Sequence, residues 1–163
     1  MHSDTLVHQF SITSYVIKKN IEGSTHEESL RQPDPAGNNL NWVVGHIVRT
    51  RNQALALVGK EHLFEMEKFE SYDKTPITDP AKAIRLEELV EMFDALEKPL
   101  FDGIKEMPAD AFAASAPFSP TGNPDETVGS LLSSIAFHEA YHAGQTGLLR
   151  RLAGKSGALQ APA

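Results

Sequence analysis

The sequence predicts an all-α protein, a four-helix bundle, on three observations. Four stretches space their apolar side chains three and four residues apart, the period of a helix with one buried face. No run alternates cleanly between β-branched and polar residues, so no strand is expected. Residues that start and stop helices fall between the four stretches.

The first helix is expected from about Asp4 to Ile21, with Leu6, Phe10, Thr13 and Ile17 on one side and Gly23-Ser24 as its end. A polar segment containing Pro33, Pro35 and Gly37 follows. The second helix is expected from near Asn38 to about Val58, with Leu40, Val43, Ile47 and Leu57 on its apolar side and Gly59 as C-cap. For the third, Asp79 supplies a cap and Pro80 a first-turn residue whose missing N–H costs nothing. Leu86, Val90, Phe93, Leu96 or Glu97, Leu100 and Ile104 mark its face to about Met107, and Pro99 inside it predicts a kink or break. An Ala-, Ser- and Pro-rich loop, 109–122, leads to the fourth helix. There Asn123-Pro124-Asp125-Glu126 reads as a cap, a first-turn proline and a capping box. This helix is expected to end near Leu152, with Gly154 as stop. Residues 1–154 form one domain of ordinary size, and 155–163 a C-terminal tail. The connection between helices two and three is long enough to cross over one end of a bundle.

Composition narrows the function. The net charge is −7, with 15 Lys and Arg scattered against 22 Asp and Glu, so no basic stripe is offered to nucleic acid. No apolar run reaches the roughly 18 residues of a membrane span, and Met1-His2-Ser3-Asp4 does not begin a signal peptide. The chain has no cysteine, hence no disulfide, no thiolate ligand and no cysteine nucleophile, which suits a cytoplasmic location.

The fourth helix carries the chemistry. Its inward face is traced as Leu131, Ile135, His138, His142, Gln145, Leu149 and Leu152, so two histidines and a glutamine align with leucines. A polar side chain in such a seam costs on the order of 2 to 7 kcal/mol unless it is satisfied. Two imidazoles four residues apart share a helix face and can share one metal ion. The second helix offers a third ligand: His46, on a stripe with Val43, Thr50, Gln53 and Leu57. A carboxylate such as Glu22 or Glu139 is the alternative third ligand. The phase of His8 is poor, and His2, His26 and His62 read as loop or terminal residues. Three histidines on two helices leave a coordination position open, as catalytic metal sites do.

His138-Glu139-Ala140-Tyr141-His142 also matches H-E-x-x-H, in which the glutamate is the general base of a zinc protease. No His, Glu or Asp follows His142 to complete that site, and Glu139 is turned about 100° from the histidine face. It is therefore a weak catalytic candidate. Gln145, one turn past His142, is a second: it can bond a ligand, touch substrate or satisfy a polar group in the core. Gly144 and Gly147 suit close helix packing. Trp42 reads as core, and Asn38, Asn39 and Asn41 as caps. Arg49 and Arg51 can reach an anion at a pocket mouth or lie on a solvated face. Arg150 and Arg151 complement the helix dipole.

Asn41-Trp42-Val43-Val44-Gly45-His46 and His138-Glu139-Ala140-Tyr141-His142-Ala143-Gly144-Gln145 resemble the DinB-like (DinB/YfiT-like) metalloenzyme family, over nearly the whole chain. The resemblance implies an up-down-down-up bundle, a divalent ion (nickel or zinc) on His46, His138 and His142, and a homodimer. Relatives of that kind use low-molecular-weight thiols such as mycothiol or bacillithiol. They transfer the thiol to an electrophile, or isomerise a substrate through a thiol adduct. The expectation is a metal-dependent transferase acting on a small-molecule substrate, with a thiol as co-substrate. The alternatives are a hydrolase using water, and a non-catalytic protein in which the ion staples the bundle.

Overall fold

The computed structural model describes residues 3–34, 37–74, 76–77 and 79–159; the expectations for His2 and Pro35 lie outside them. Its elements are α1 (Ser3–Ile21), α2 (His26–Ser29), α3 (Leu40–Leu57), α4 (Leu86–Glu106), α5 (Ala109–Ala113) and α6 (Val128–Leu152). Two 3-10 segments, Met66–Tyr72 and Pro80–Lys82, lie between α3 and α4. Among the described residues there is no strand, only one isolated bridge between Ser115 and Thr127. No helix is long and apolar enough to cross a membrane.

The four long helices form a bundle in which α6 packs on α1 and α3, and α4 packs on α3 and α1. Their directions follow from paired contacts. Thr13 meets Glu139 and Asn20 meets Thr146, so α1 and α6 run parallel. Lys18 meets Asp94 while Phe10 faces Phe101, so α1 and α4 run antiparallel. Asn41 bonds the Ile84 carbonyl at one end of α3, and Val58 lies against Gly103 at the other, so α3 and α4 run parallel. The order is up-down-down-up. Parallel neighbours need a connection that returns the whole length of the bundle, which is the long segment 58–85.

Two element starts differ from the sequence expectation. Asp79 does cap and Pro80 does open a turn, but only the 3-10 turn Pro80–Lys82. The Tyr72 hydroxyl accepts the Ile84 N–H, and the Asn41 side chain takes the Ile84 carbonyl. With both backbone groups of Ile84 engaged, the helix cannot run through and begins anew at Leu86. Asn123-Pro124 likewise does not start α6. The Ala116 N–H donates to the Glu126 carbonyl and the Val128 N–H to the Ala114 carbonyl, holding the chain extended to Thr127. Thr127 and Ser130 then make the capping box. The expected break at Pro99 does not occur: α4 continues through it, and the hydrogen bond it forgoes is to exposed Ala95, where the loss costs least. His26 is buried rather than a loose loop residue; its Nδ1 accepts the first N–H of α4, at Leu86.

The largest correction concerns the phase of α6. Its buried positions include Leu132, Ala136, Glu139, Ala143 and Thr146. Leu131, His142 and Leu149 of the traced seam are buried as expected, whereas Ile135, His138 and Gln145 lie at the border of this face and Leu152, expected inside, is 60 % exposed. The centre of the face is polar because Glu139 meets Arg51 of α3, which is fully buried and not at any pocket mouth. Arg51 Nε and Nη2 each donate to a different Glu139 oxygen at 2.6 Å, and Nη2 also donates to Ser14 Oγ at 2.7 Å. The Thr13 hydroxyl donates to Glu139 as well. The guanidinium lies 4.1 Å from the Phe93 ring centre, a cation–π contact in a desolvated setting. One pair thus ties α1, α3 and α6 together beside His138.

Candidate metal centre

His46 stands on α3, His138 and His142 on α6, and the bundle brings all three into one cluster. His46 Nε2 and His142 Nε2 each lie 3.0 Å from His138 Nε2. The outer nitrogens settle the tautomers of two rings. His46 Nδ1–H donates to the Tyr72 carbonyl at 2.7 Å, and His142 Nδ1–H donates to Gln145 Oε1 at 2.7 Å. A carbonyl oxygen only accepts, so each of these rings turns a bare Nε2 lone pair toward His138. One proton on His138 can satisfy one of those lone pairs but not both. A cation among them meets all three, and this donor set fits a divalent ion. Among the described residues the cluster consists of the three histidines with no carboxylate.

The motif on α3 explains itself in these terms. Asn39 caps the helix by accepting the Trp42 N–H. Asn41 is no cap: it is buried, donates to the Ile84 carbonyl and accepts the Tyr72 hydroxyl. Trp42 stacks on the His46 ring with centroids 4.6 Å apart, fixing its plane. Gly45 makes room for Tyr72, since a Cβ there would stand 2.2 Å from the Tyr72 ring. Tyr72 in turn places the carbonyl that orients His46. Burial pushes the Tyr72 phenol up to about 12, so it stays a neutral structural hydrogen bonder.

The DinB superfamily's sequence profile matches residues 9–146, most of the chain and all three histidines. The chain belongs to the DinB superfamily. A solved structure, a conserved protein from Enterococcus faecalis, superposes with a TM-score of 0.74 at 18 % identity, covering 95 % of this chain and 99 % of the other. At that identity the likeness concerns the fold. No curated protein matches the chain.

Within this DinB fold the remaining candidates find distinct places. Gln145 orients His142, one of the roles expected for it. Glu139 has both oxygens committed to Arg51 and Thr13, so no free carboxylate stands where the base of an H-E-x-x-H protease would. Arg49 pairs with Asp73 at 3.0 Å, and His8 and Glu22 lie outside the cluster. Gly147 packs against Asn20 as expected, whereas Gly144 has open space where a Cβ would be. Tyr72 is the functional residue that sequence reasoning missed. Only the glycine one residue before His46 hinted that a bulky side chain must approach there.

A cavity of about 410 Å³ opens beside the cluster between α3 and α6, with His46 and His138 in its wall. Thr50, Gln53 and Leu57 continue the wall along α3, as their common stripe predicted, and Phe118 of the loop after α5 faces it.

All three imidazoles are held below the ordinary histidine value, chiefly by burial. For His138 the burial is reinforced by its two histidine neighbours and brings it to about 4. The rings are therefore neutral, with lone pairs available to a metal ion, at neutral pH. A base lowered in the folded state contributes stability that is whole above its unfolded value, about 6.5, and is lost as the pH falls toward the folded value. Metal-free protein is expected to show a Tm that falls between pH 7 and 5, and less so in His138→Gln. An unchanged or rising Tm over that window contradicts the buried neutral cluster.

Gly45→Ala is expected to push Tyr72 off α3, costing about 1–3 kcal/mol in urea unfolding through overpacking. By displacing the carbonyl that holds His46 Nδ1, it should also weaken metal binding about 10- to 100-fold in a competition titration.

Proposed function

We propose that the protein is a divalent-metal-dependent enzyme, with zinc or nickel on His46, His138 and His142. It catalyses attack of a small thiol, or of water, on an electrophilic small molecule. The observation that carries this reading is the convergence of three oriented Nε2 atoms, without a fourth protein ligand, at the wall of a cavity. A structural metal site is closed by four protein ligands, whereas three leave a position for a reactant.

A divalent ion held here would lower the pKa of a coordinated thiol or water and so make a nucleophile available at neutral pH. The chain's own residues supply the rest. The three neutral rings keep their lone pairs free. The Tyr72 carbonyl and Trp42 hold His46 in orientation and Gln145 holds His142, so little reorganisation of these two rings is needed when the ion binds. The cavity beside His46 and His138 seats the electrophile. Having no cysteine, the protein draws its thiol from a co-substrate. The sulfur–hydrogen bond breaks with its proton going to solvent, sulfur bonds the electrophilic carbon, and that carbon's bond to the leaving group breaks, the electron pair departing with the leaving group.

The test is turnover of an electrophile panel by zinc- or nickel-loaded protein, with and without low-molecular-weight thiols. The expected result is a rate above the uncatalysed one that needs both thiol and metal and disappears in His138→Ala. Turnover with water alone replaces the transferase by a hydrolase; no turnover with either nucleophile contradicts the enzyme reading.

A further inference from the structure

The cavity next to the histidines has a chemical character beyond its place. Away from His46 and His138, its wall is built largely of Ala54, Leu57, Phe118, Leu131 and Ile135. Its other polar side chains are Thr50, Gln53, Ser134 and, at the exposed rim, the imidazole of His62. Among the described residues no Lys, Arg, Asp or Glu lines it. Both cations of α3 are already engaged: Arg49 donates to Gln53 Oε1 at 3.1 Å and pairs with Asp73, and Arg51 pairs with Glu139 in the core. The volume of about 410 Å³ sits in the lower part of the range for small-molecule sites, roughly 300 to 1,000 Å³.

From this lining we infer that the substrate has an uncharged, largely apolar body, seated between α3 and α6 under Phe118. Any polar or reactive group it carries is directed to the histidine end. An ionised group set between Leu57, Leu131 and Ile135 would lose its hydration with no Lys, Arg, Asp or Glu to meet it. An apolar body gains by leaving water against Leu57, Leu131 and Ile135. The Thr50 hydroxyl donates to the His46 carbonyl at 2.9 Å, so it demands no partner from the ligand. The Arg49 bond leaves Gln53 its amide N–H groups, which suit a neutral acceptor on the ligand such as a carbonyl, ether or hydroxyl oxygen.

The inference deepens the enzyme proposal by naming its substrate class, and its test uses binding, with no turnover required. The full-length protein is titrated calorimetrically with three probes of one shape: 4-phenylbutan-1-ol, 4-phenylbutylammonium and 4-phenylbutanoate. The titrations are run on metal-loaded protein and on chelated protein. In chelated protein the alcohol is expected to bind about tenfold or more tighter than either ion. Leu57→Lys, at the last residue of α3, is expected to weaken the alcohol about tenfold and to strengthen the carboxylate. Thermal unfolding of that variant confirms that it folds. The inference is overturned if either ion binds chelated protein within about threefold of the alcohol. It is also overturned if the alcohol does not bind saturably, or if Leu57→Lys leaves its affinity unchanged. Absence of a metal with the alcohol preference intact refutes the metalloenzyme alone. Metal present with ions bound as well as the alcohol refutes the substrate class alone.

Discussion

Glu139→Ala is expected to lower folding stability by about 3–5 kcal/mol, read as a shifted urea midpoint at neutral pH. The reason is what it leaves behind. Arg51 is 0 % exposed and Glu139 2 %, so removing the carboxylate strands a guanidinium in the core. Phe93, Ser14 and the Phe10 carbonyl remain near it, but none carries a negative charge. Arg51 Nη1 already lacks a partner, so the site has no spare acceptor to offer. The double variant Arg51→Met, Glu139→Leu should recover most of the loss, because it removes both charges while keeping the volume filled. The result separates two roles for Glu139. A general base at the metal would leave stability nearly untouched when removed. An anchor between α1, α3 and α6 moves stability first, and moves the histidines only through the helices that carry them.

The second large effect is loss of the metal. His138 stands between the other two rings, its Nε2 3.0 Å from each partner. His138→Ala leaves His46 and His142 without the ring that joins them, and two imidazoles on different helices are a far poorer site than three. His46→Ala leaves only the pair on α6. Both variants are expected to fold, since each removes a half-exposed ring and leaves the Arg51–Glu139 anchor intact. Both should fail to retain zinc or nickel through gel filtration.

The four long helices were legible because each carries an apolar face that its partners must bury, and local periodicity records that need. The three histidines were legible for the opposite reason: they interrupt the pattern with groups that demand a partner. What the sequence concealed are the places where two distant polar residues satisfy each other. Arg51 and Glu139 each look like surface residues in isolation, and their pairing across 88 positions is invisible to any window along the chain. With Glu139 and Thr146 at the centre of its buried face, α6 shows little helical contrast, so its apolar period locates Leu131, His142 and Leu149 inside but passes over Glu139 and Thr146. The same blindness set the start of α4 too early. Asp79-Pro80 is a sound local signal, but Tyr72 and Asn41 capture the backbone of Ile84 from elsewhere in the fold. Tyr72 escaped notice as part of the site because it contributes a backbone carbonyl, which no side-chain motif can announce.

The central claim is that one ion is shared by His46, His138 and His142. The most direct test is elemental analysis of untagged protein beside His46→Ala and His138→Ala, each after exposure to Zn²⁺ or Ni²⁺ and removal of free ion. The account predicts about one equivalent in the wild type and essentially none in either variant, each variant keeping its helical circular dichroism. A wild type that retains no metal, or variants that retain as much as it does, would contradict the account.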